Sequence, residues 1–346
     1  MGICVASPQA IPPYFPPLLP RSSGRCEGFI RAARGSYVQQ FRRVSAIGKV
    51  ISGHHLADLE GIVMMKRRAI TLFLIVLFLL TASLALAQDE NPVVLGELPT
   101  PTASGLLDVN DIQMYYAQYG ETGQPLILLH GGLGNAGYFA NQIPAFVDAG
   151  FQVFALDSRG HGRSSYTETP IGYSLMASDV LAAMDALGID KADLVGWSDG
   201  GIIGLDIAIN HPERLNRLVA YGADYLTSGV KADFGENAVV QAYIGQALTD
   251  YARLSPAPEN VYAFLANISN MWATEPAYSE EQLQGITVPV LILGGWQEET
   301  VYPQHEFDMA ELIPTAELTL MPGVGHFAMF LTPDMFNSIV LNYLGR

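Results

Sequence analysis

Short apolar runs that alternate with helical patterns are the feature of this sequence that most limits its possible folds. Six such runs occupy 126–129, 152–156, 193–196, 218–221, 289–293 and 317–321. Uninterrupted apolar runs of this length are typical of strands covered on both faces. Helical segments between them indicate crossover connections between parallel strands. The sequence therefore predicts an α/β fold with a mostly parallel sheet, and residues 112–118 around Tyr115 are predicted to add an antiparallel edge strand.

The chain before this region has the pattern of an export signal. The basic residues 66–68 precede an uncharged run, 69–87, which ends in Ala-Leu-Ala. A basic segment, an apolar segment and a small-residue cleavage site are typical of a signal peptide, although the run is also long enough for an uncleaved membrane anchor. Basic residues stay on the cytoplasmic side in both cases, so the rest of the chain is predicted to lie outside.

Domain boundaries follow from these patterns. Met64 and Met65 stand just before the basic residues, so residues 1–63 are interpreted as a disordered or spurious extension. The predicted sequence of segments is this extension at 1–63, a signal peptide or signal anchor at 64–87, a linker at 88–103 and one domain at 104–346. Between 225 and 287 the strand pattern stops, which predicts a helical cap, and its aromatic residues, Tyr243 and Trp272 among them, are expected mainly to pack it.

Charge is distributed very unevenly along the chain. Residues 1–68 carry a net charge of +7 and residues 88–346 carry −23, within a total of −16. Nucleic-acid phosphates require a basic surface. A domain with this much negative charge therefore argues against a nucleic-acid partner. Both cysteines, Cys4 and Cys26, precede the domain, which excludes a disulfide, a thiol nucleophile and a cysteine-ligated metal within it.

Residues 196–201, Gly-Trp-Ser-Asp-Gly-Gly, place a serine between two glycines directly after a predicted strand. A Gly-x-Ser-x-Gly turn between a strand and a helix strains its central residue, so that the hydroxyl stands clear at the end of the strand. Side chains two residues before and two residues after the serine would collide in so tight a turn, which explains the glycines at 196 and 200. A glycine-rich connection without a catalytic role has the same pattern, so the candidate nucleophile Ser198 depends on partners elsewhere.

His326 is the histidine best placed to serve Ser198. A serine hydroxyl is a weak nucleophile near neutral pH and needs a general base, which a third group orients. Gly325 precedes His326, and the strand predicted at 317–321 delivers it. The remaining histidines lie before the domain, in turns or at helix ends, where a packing role is sufficient.

Five motifs follow one another in a distinctive order. They are His-Gly-Gly-Leu-Gly at 130–134, Asp-Ser-Arg-Gly-His-Gly-Arg-Ser at 157–164, the turn at 196–201, the acidic loop at 296–299 and Gly325-His326. In this order the chain, from about Gly105 to its C-terminus, resembles the α/β-hydrolase superfamily. The resemblance implies an eight-stranded, mostly parallel sheet flanked by helices, a cap after strand six, and nucleophile, acid and base in the order Ser, acid, His. It implies no cofactor and no metal.

The resemblance places the acid at Glu298, where the superfamily more often has aspartate. Glutamate carries the same charge on a longer stem. Glu299 directly follows and stays an alternative. Asp224 is a further alternative, because some hydrolases place their acid after the preceding strand. The predicted triad is Ser198, Glu298 and His326.

Two backbone amides are expected to stabilise the oxyanion of an acyl-transfer reaction. One belongs to Asp199, at the start of the helix after Ser198, and the other to Gly132, with Leu133 as the alternative. Within the superfamily the turn resembles the valacyclovir hydrolase branch, whose members cleave α-amino-acid esters. That resemblance implies that the Asp199 carboxylate holds the ammonium group of the substrate.

These predictions converge on an exported serine hydrolase that cleaves an ester or a related acyl bond of a small molecule. Carbon–carbon bond hydrolysis and perhydrolysis use the same triad and remain alternatives. A binding protein that keeps the fold without turnover is a third alternative, although a pure binder has no need of all three triad residues. Haloalkane dehalogenase and epoxide hydrolase chemistry use an aspartate nucleophile, which Ser198 does not supply.

Overall fold

The computed structural model describes residues 95–345, and their strands form one eight-stranded sheet. In chain order they are β1 (Ala103–Val109), β2 (Ile112–Tyr119), β3 (Gln124–Leu129), β4 (Phe151–Leu156), β5 (Ala192–Trp197), β6 (Leu215–Tyr221), β7 (Val290–Gly295) and β8 (Ala316–Met321). Their order across the sheet is β1-β2-β4-β3-β5-β6-β7-β8. The pairs from β4 to β8 are parallel, and β2 is antiparallel to both of its neighbours. The predicted mostly parallel α/β sheet is confirmed.

One detail of the predicted sheet is wrong, because β2 is not its edge. β1 pairs with β2 over its whole length and forms the edge itself. The sequence of β1, ASGLLDV, has alternating exposure and lacks a continuous apolar run. A half-exposed edge strand gives a weak pattern signal, and its first residue, Ala103, falls at the end of the predicted linker.

Helices cover both faces of the sheet, as crossover connections between parallel strands require. They are α1 (Ile143–Asp148), α2 (Tyr173–Ala186), α3 (Asp199–Asn210), α4 (Ala238–Leu254), α5 (Val261–Thr274), α6 (Glu280–Gln284), α7 (Pro303–Leu312), α8 (Ala328–Leu331) and α9 (Pro333–Leu344). Helices α4, α5 and α6 lie between β6 and β7. They form the insertion expected as a cap after strand six.

Central strands position the site because they are buried and parallel. The side chains of 126–129 in β3 are fully buried, and β5 is buried along its whole length. β3 and β5 are paired so that Leu129 lies beside Gly196. The carboxyl ends of neighbouring parallel strands share one edge of the sheet, which is where open α/β sheets bind ligands. The loops after β3, β5, β7 and β8 therefore meet at that edge.

The predicted extension, the signal segment 64–87 and the first part of the predicted linker, 88–94, lie outside the described residues. Within 95–345 no helix is both long and apolar enough to cross a membrane.

Candidate active site

Ser198 occupies a strained turn between β5 and α3. Its backbone has φ 54° and ψ −119°, a region that non-glycine residues rarely adopt. A Cβ on Gly196 would lie 2.1 Å from the carbonyl oxygen of Gly200, and a Cβ on Gly200 would lie 2.1 Å from the carbonyl oxygen of Leu129. Both flanking glycines are therefore required by close backbone contact, and Ser198 stands at the end of a buried strand.

His326 and Glu298 form a close pair of side chains. Nδ1 of His326 lies 2.7 Å from Oε1 of Glu298, and both side chains are almost fully buried. Oε1 of Glu298 also accepts the amides of Thr300 at 2.9 Å and Val301 at 3.2 Å, so the loop after β7 orients the carboxylate. With Nδ1 facing Glu298, Nε2 is the ring nitrogen left for a substrate or a nucleophile.

The two alternative acids have other contacts. Oε2 of Glu299 accepts the backbone amide of His326 at 2.6 Å, so Glu299 holds the peptide rather than the ring. Asp224 is buried and lines the same cavity, but it forms no ion pair with His326. Among the three acidic residues considered, Glu298 is the one that the structure brings to Nδ1 of the imidazole.

Opposing effects set the pKa of His326. Burial lowers it, whereas the charge and hydrogen bond of Glu298, with smaller effects of Glu299 and Asp199, raise it. The net result is a pKa above the usual 6.5. A buried imidazole beside a carboxylate is thus prepared to accept a proton.

A tight turn after β3 forms one wall of the site. The amide of Gly134 donates to the carbonyl of Gly131 at 3.0 Å, and Leu133 has φ 65°. A four-residue turn with a positive φ at only its third residue is of type II. The carbonyl of Gly132 accepts the hydroxyl of Tyr243 from α4 at 2.6 Å.

The predicted oxyanion donors lie around this turn and the start of α3. The amides of Gly132 and Leu133 form none of the hydrogen bonds found within residues 95–345, and neither does the amide of Asp199. A Cβ on Gly132 would lie 2.7 Å from Oδ2 of Asp199, so the turn and the helix start are in contact. Both the predicted donor Gly132 and its alternative Leu133 line the cavity with Ser198.

The carboxylate of Asp199 is buried and has two neutral donors. Nε1 of Trp272 donates at 3.1 and 3.0 Å to its two oxygens, and the hydroxyl of Tyr173 donates at 2.9 Å. Burial raises the pKa of Asp199 to about 6, although these donors and His326 act against it. A buried carboxylate without a cation among its hydrogen-bond partners favours a positively charged ligand.

Asp224 adds a second buried acid to the cavity. Burial, followed by the charge of Asp199, raises the pKa of Asp224 to about 8. The two carboxylic groups therefore carry less than two negative charges near pH 7, and a bound cation would favour their ionised forms.

The cavity that these groups line has a volume of about 550 Å³. It is enclosed by the turn at 131–134, the start of α3, segment 227–234 and side chains of α4 and α5. Most of its surface is apolar, and its polar lining residues include Ser198, Asp199, Asp224, Lys231, Glu275 and His326. Within residues 95–345 no group of three His, Cys, Asp or Glu side chains is arranged to hold a metal ion.

Sequence reasoning missed the polar roles of the cap. Tyr243 and Trp272 were expected to act mainly in packing, yet each places a hydrogen-bond donor on the site. Lys231 was not singled out, and its Nζ donates to the backbone carbonyl of Glu298. No spacing in the sequence signals these contacts, because they join residues more than 60 positions apart.

Comparisons with known proteins give the family. A family model for the alpha/beta hydrolase fold matches residues 124–267. The chain is 31% identical over 245 residues to a protein of Caulobacter sp. K31 assigned as the carbamate hydrolase RutD, covering 63% of this chain and 90% of that protein. It is 29% identical over 271 residues to a 2-hydroxy-6-oxo-6-phenylhexa-2,4-dienoate hydrolase of Comamonas testosteroni, covering 68% and 93%.

A solved structure gives the same result. Est816, described as an N-acyl homoserine lactone degrading enzyme, superimposes with a TM-score of 0.58 at 26% identity, over 69% of this chain and all of that one. The two curated relatives are named as hydrolases and Est816 as a degrading enzyme, and the substrates in their names differ. With its eight-stranded sheet, its serine turn and relatives aligned over nine-tenths of their length, the chain belongs to the α/β-hydrolase family.

Proposed function

We propose that this chain is a serine hydrolase that cleaves an ester or a related acyl bond of a small molecule through Ser198, His326 and Glu298. The observation that carries the proposal is the 2.7 Å contact between Nδ1 of His326 and Oε1 of Glu298 at the wall of the cavity that Ser198 also lines. A strained serine, a buried imidazole and an orienting carboxylate are the parts that nucleophilic acyl transfer requires.

In the proposed reaction Oγ of Ser198 attacks the acyl carbon while Nε2 of His326 accepts the hydroxyl proton. Glu298 stabilises the imidazolium, and the amides of Asp199 and Gly132, with Leu133 as the alternative to Gly132, receive the developing oxyanion. The imidazolium then protonates the leaving alcohol as the tetrahedral intermediate collapses to an acyl-enzyme. A water that His326 deprotonates releases the acid and restores the serine.

The acidic cavity favours substrates with an amino group, as in α-amino-acid esters. Asp199 and Asp224 are both buried, and desolvation disfavours their charge unless a cation accompanies it. An ammonium group beside Asp199 would supply that cation. This supports the assignment of Asp199 as the substrate-binding residue and the similarity to the valacyclovir hydrolase branch.

A carbon–carbon bond hydrolase is the second candidate, because the Comamonas relative is named for such a substrate. That substrate is a dienoate and thus an anion. Lys231 is the one lysine or arginine that lines the described cavity, and its Nζ already donates to the carbonyl of Glu298. Two buried acids and one engaged cation favour a cationic or neutral substrate over a dienoate.

A substrate panel tests the proposal. p-Nitrophenyl esters of α-amino acids and of the matching acids without the amino group would be compared on wild type, Ser198→Ala and Asp199→Asn. We expect the aminoacyl esters to be preferred, the preference to shrink in Asp199→Asn, and Ser198→Ala to lose both turnover and labelling by a fluorophosphonate. A folded wild type that neither reacts with the probe nor cleaves any ester would indicate the binding protein; cleavage of the dienoate alone would indicate the second candidate.

Export remains part of the proposal. The segment 64–87 supports a signal peptide or anchor that places the hydrolase outside the cytoplasm, where it acts without a nucleic-acid partner. Sequencing of the mature N-terminus tests this proposal. Cleavage of a signal peptide predicts Gln88 as the first residue, whereas an anchor predicts a membrane-bound chain that keeps the segment intact. A soluble chain that keeps the segment would contradict both.

A further inference from the structure

One side chain of the cap contacts three segments of the candidate active site. The hydroxyl of Tyr243 on α4 donates to the carbonyl of Gly132 at 2.6 Å. The centroid of its ring lies 5.3 Å from that of Trp197, the residue before the nucleophile, in an edge-to-face arrangement. It also lies 5.3 Å from the ring centroid of Phe327, the residue after the base. Tyr243 is buried, so these contacts form in the interior between cap and sheet.

The turn that Tyr243 holds is strained. Leu133 has φ 65°, a left-handed conformation that costs any residue with a Cβ more than it costs glycine. Rotation of the peptide between Gly132 and Leu133 would convert the type II turn into a type I turn and bring Leu133 to a negative φ. Leucine on its own favours that rotation.

The hydroxyl of Tyr243 opposes this rotation. The carbonyl and the amide hydrogen of one trans peptide point in opposite directions, so a fixed Gly132 carbonyl also fixes the direction of the Leu133 amide. After rotation the carbonyl oxygen would leave Tyr243 and take the side on which the amide had been. Burial raises the pKa of Tyr243 well above 10, so its hydroxyl stays protonated and remains a donor.

We infer that Tyr243 is a positioning residue through which the cap holds the Leu133 amide, the alternative oxyanion donor to Gly132, in the strained, active form of the turn. The inference rests on the proposed function and deepens it: the oxyanion site is complete only while α4 is seated on the catalytic domain. Tyr243 acts through the Gly132–Leu133 peptide and has no contact with the reacting atoms in this account.

A pair of tyrosine variants tests the inference. Tyr243→Phe removes the hydroxyl and keeps the ring. Tyr138→Phe is the matched control, because the hydroxyl of Tyr138 also bonds the cap, to Oδ2 of Asp250 at 3.2 Å, without touching the turn. We expect Tyr243→Phe to lower kcat for the best p-nitrophenyl ester by about tenfold or more with KM changed less than about threefold, and Tyr138→Phe to change both less than about threefold.

Inhibition by phenylboronic acid gives a second reading, because its tetrahedral serine adduct places an oxygen where the oxyanion forms. We expect Tyr243→Phe to weaken this inhibitor by about the factor that it loses in kcat. Thermal unfolding of both variants establishes that they are folded.

Leu133→Gly provides a rescue, since glycine adopts a positive φ without strain. The loss in kcat caused by Tyr243→Phe should fall to about threefold or less when it is measured in the Leu133→Gly background. This dependence separates an effect on turn strain from a general loosening of the cap.

The outcomes are distinguishable. A wild type that hydrolyses the ester while Tyr243→Phe matches Tyr138→Phe would overturn the inference and leave the proposed function intact. An effect on KM alone, or an equal loss in both backgrounds at position 133, would also overturn it. If folded wild type neither reacts with a fluorophosphonate nor binds phenylboronic acid, the proposed function fails and the inference fails with it.

Discussion

Two walls of the cavity are held by different kinds of contact: the floor, formed by the end of β5 and the start of α3 around Ser198, and the roof, formed by the cap helices α4 and α5. In the floor, backbone meets backbone: Gly200 lies against the carbonyl of Leu129, and Ser198 is fixed between β5 and α3. In the roof, side chains of the cap donate hydrogen bonds to the catalytic domain: Tyr243 donates to the carbonyl of Gly132, and Trp272 donates to the carboxylate of Asp199. The floor leaves no space for substitution, whereas the roof is attached through a few polar atoms. This difference separates the part that carries the proposed chemistry from the part that tunes it.

The largest effect is expected where the floor has no space. Gly200→Ala would place a Cβ 2.1 Å from the carbonyl oxygen of Leu129, so we expect destabilisation of about 3 kcal/mol or more and loss of activity. Chemical denaturation and ester hydrolysis measure the two effects. Gly105→Ala is the control, because a Cβ there meets only ordinary contacts, the nearest at 3.6 Å. Equal stability of the two variants would show that the floor is less rigid than described.

The next effect concerns the acid. Glu298→Gln should lower kcat by about 10³-fold to 10⁴-fold, because the amide cannot stabilise an imidazolium. Glu299→Gln changes the partner of the His326 amide instead and should cost about tenfold or less. A larger loss in Glu299→Gln than in Glu298→Gln would move the acid to Glu299.

The pH profile sharpens the same assignment. The base must be neutral to act, and Glu298 raises the pKa of His326, so kcat/KM of the wild type should rise with pH through a midpoint above 6.5. In Glu298→Gln the midpoint should move to lower pH, since the charge that raised the pKa is gone. An unchanged midpoint would mean that Glu298 does not set the pKa of the base that titrates in this profile.

A roof substitution should have a smaller effect that depends on the substrate. Trp272→Phe removes a donor that lowers the pKa of Asp199, so that pKa should rise above about 6 and less of the carboxylate should be ionised at pH 7. We expect kcat/KM for aminoacyl esters to fall about tenfold and for matching neutral esters to fall less. Equal losses for both ester types would mean that Trp272 shapes the pocket without acting through Asp199.

The smallest effect on activity is expected at a buried residue that does not line the cavity. Glu306 on α7 is fully buried, and burial followed by the charge of Glu298 raises its pKa to about 8. A raised folded-state pKa means that the folded chain binds more protons than the unfolded chain between about 4.5 and 8, so this group makes stability fall as pH rises through that range. Glu306→Gln should therefore stabilise the protein by on the order of 2 kcal/mol at pH 9 and by little at pH 4.5. A gain independent of pH would contradict this.

The floor is also the part that sequence reasoning predicts well. Strand runs and the Gly-x-Ser-x-Gly turn are local patterns. The sequence predicted that a side chain at 196 or 200 would collide in the tight turn, and the structure places a Cβ at either position 2.1 Å from a backbone carbonyl oxygen. The edge strand β1 was missed because its half-exposed sequence has no apolar run. The sequence favoured Glu298, but which of Glu298, Glu299 and Asp224 lies beside Nδ1 of His326 needed coordinates, since adjacent residues of one loop face different parts of His326.

The roof was harder to predict for a physical reason. Aromatic residues on a cap helix pack in either case, and the sequence does not say where the single polar atom of a tyrosine or tryptophan points. What distinguishes the roles of Tyr243 and Trp272 from that of a packing residue such as Phe264 is the hydrogen bond that this polar atom donates. Polar roles of this kind depend on tertiary contacts across more than 70 residues of chain.

The bond between Tyr243 and Gly132 has a consequence for protein engineering. The cap of this chain is an attractive module to exchange, because it lines the pocket and contains none of Ser198, Glu298 and His326. A graft onto this scaffold that lacked a hydroxyl at the place of Tyr243 would alter the rate of bond breaking along with the choice of substrate. Chimeras should therefore transfer the first half of α4 together with the loop at 130–134, as one exchangeable unit.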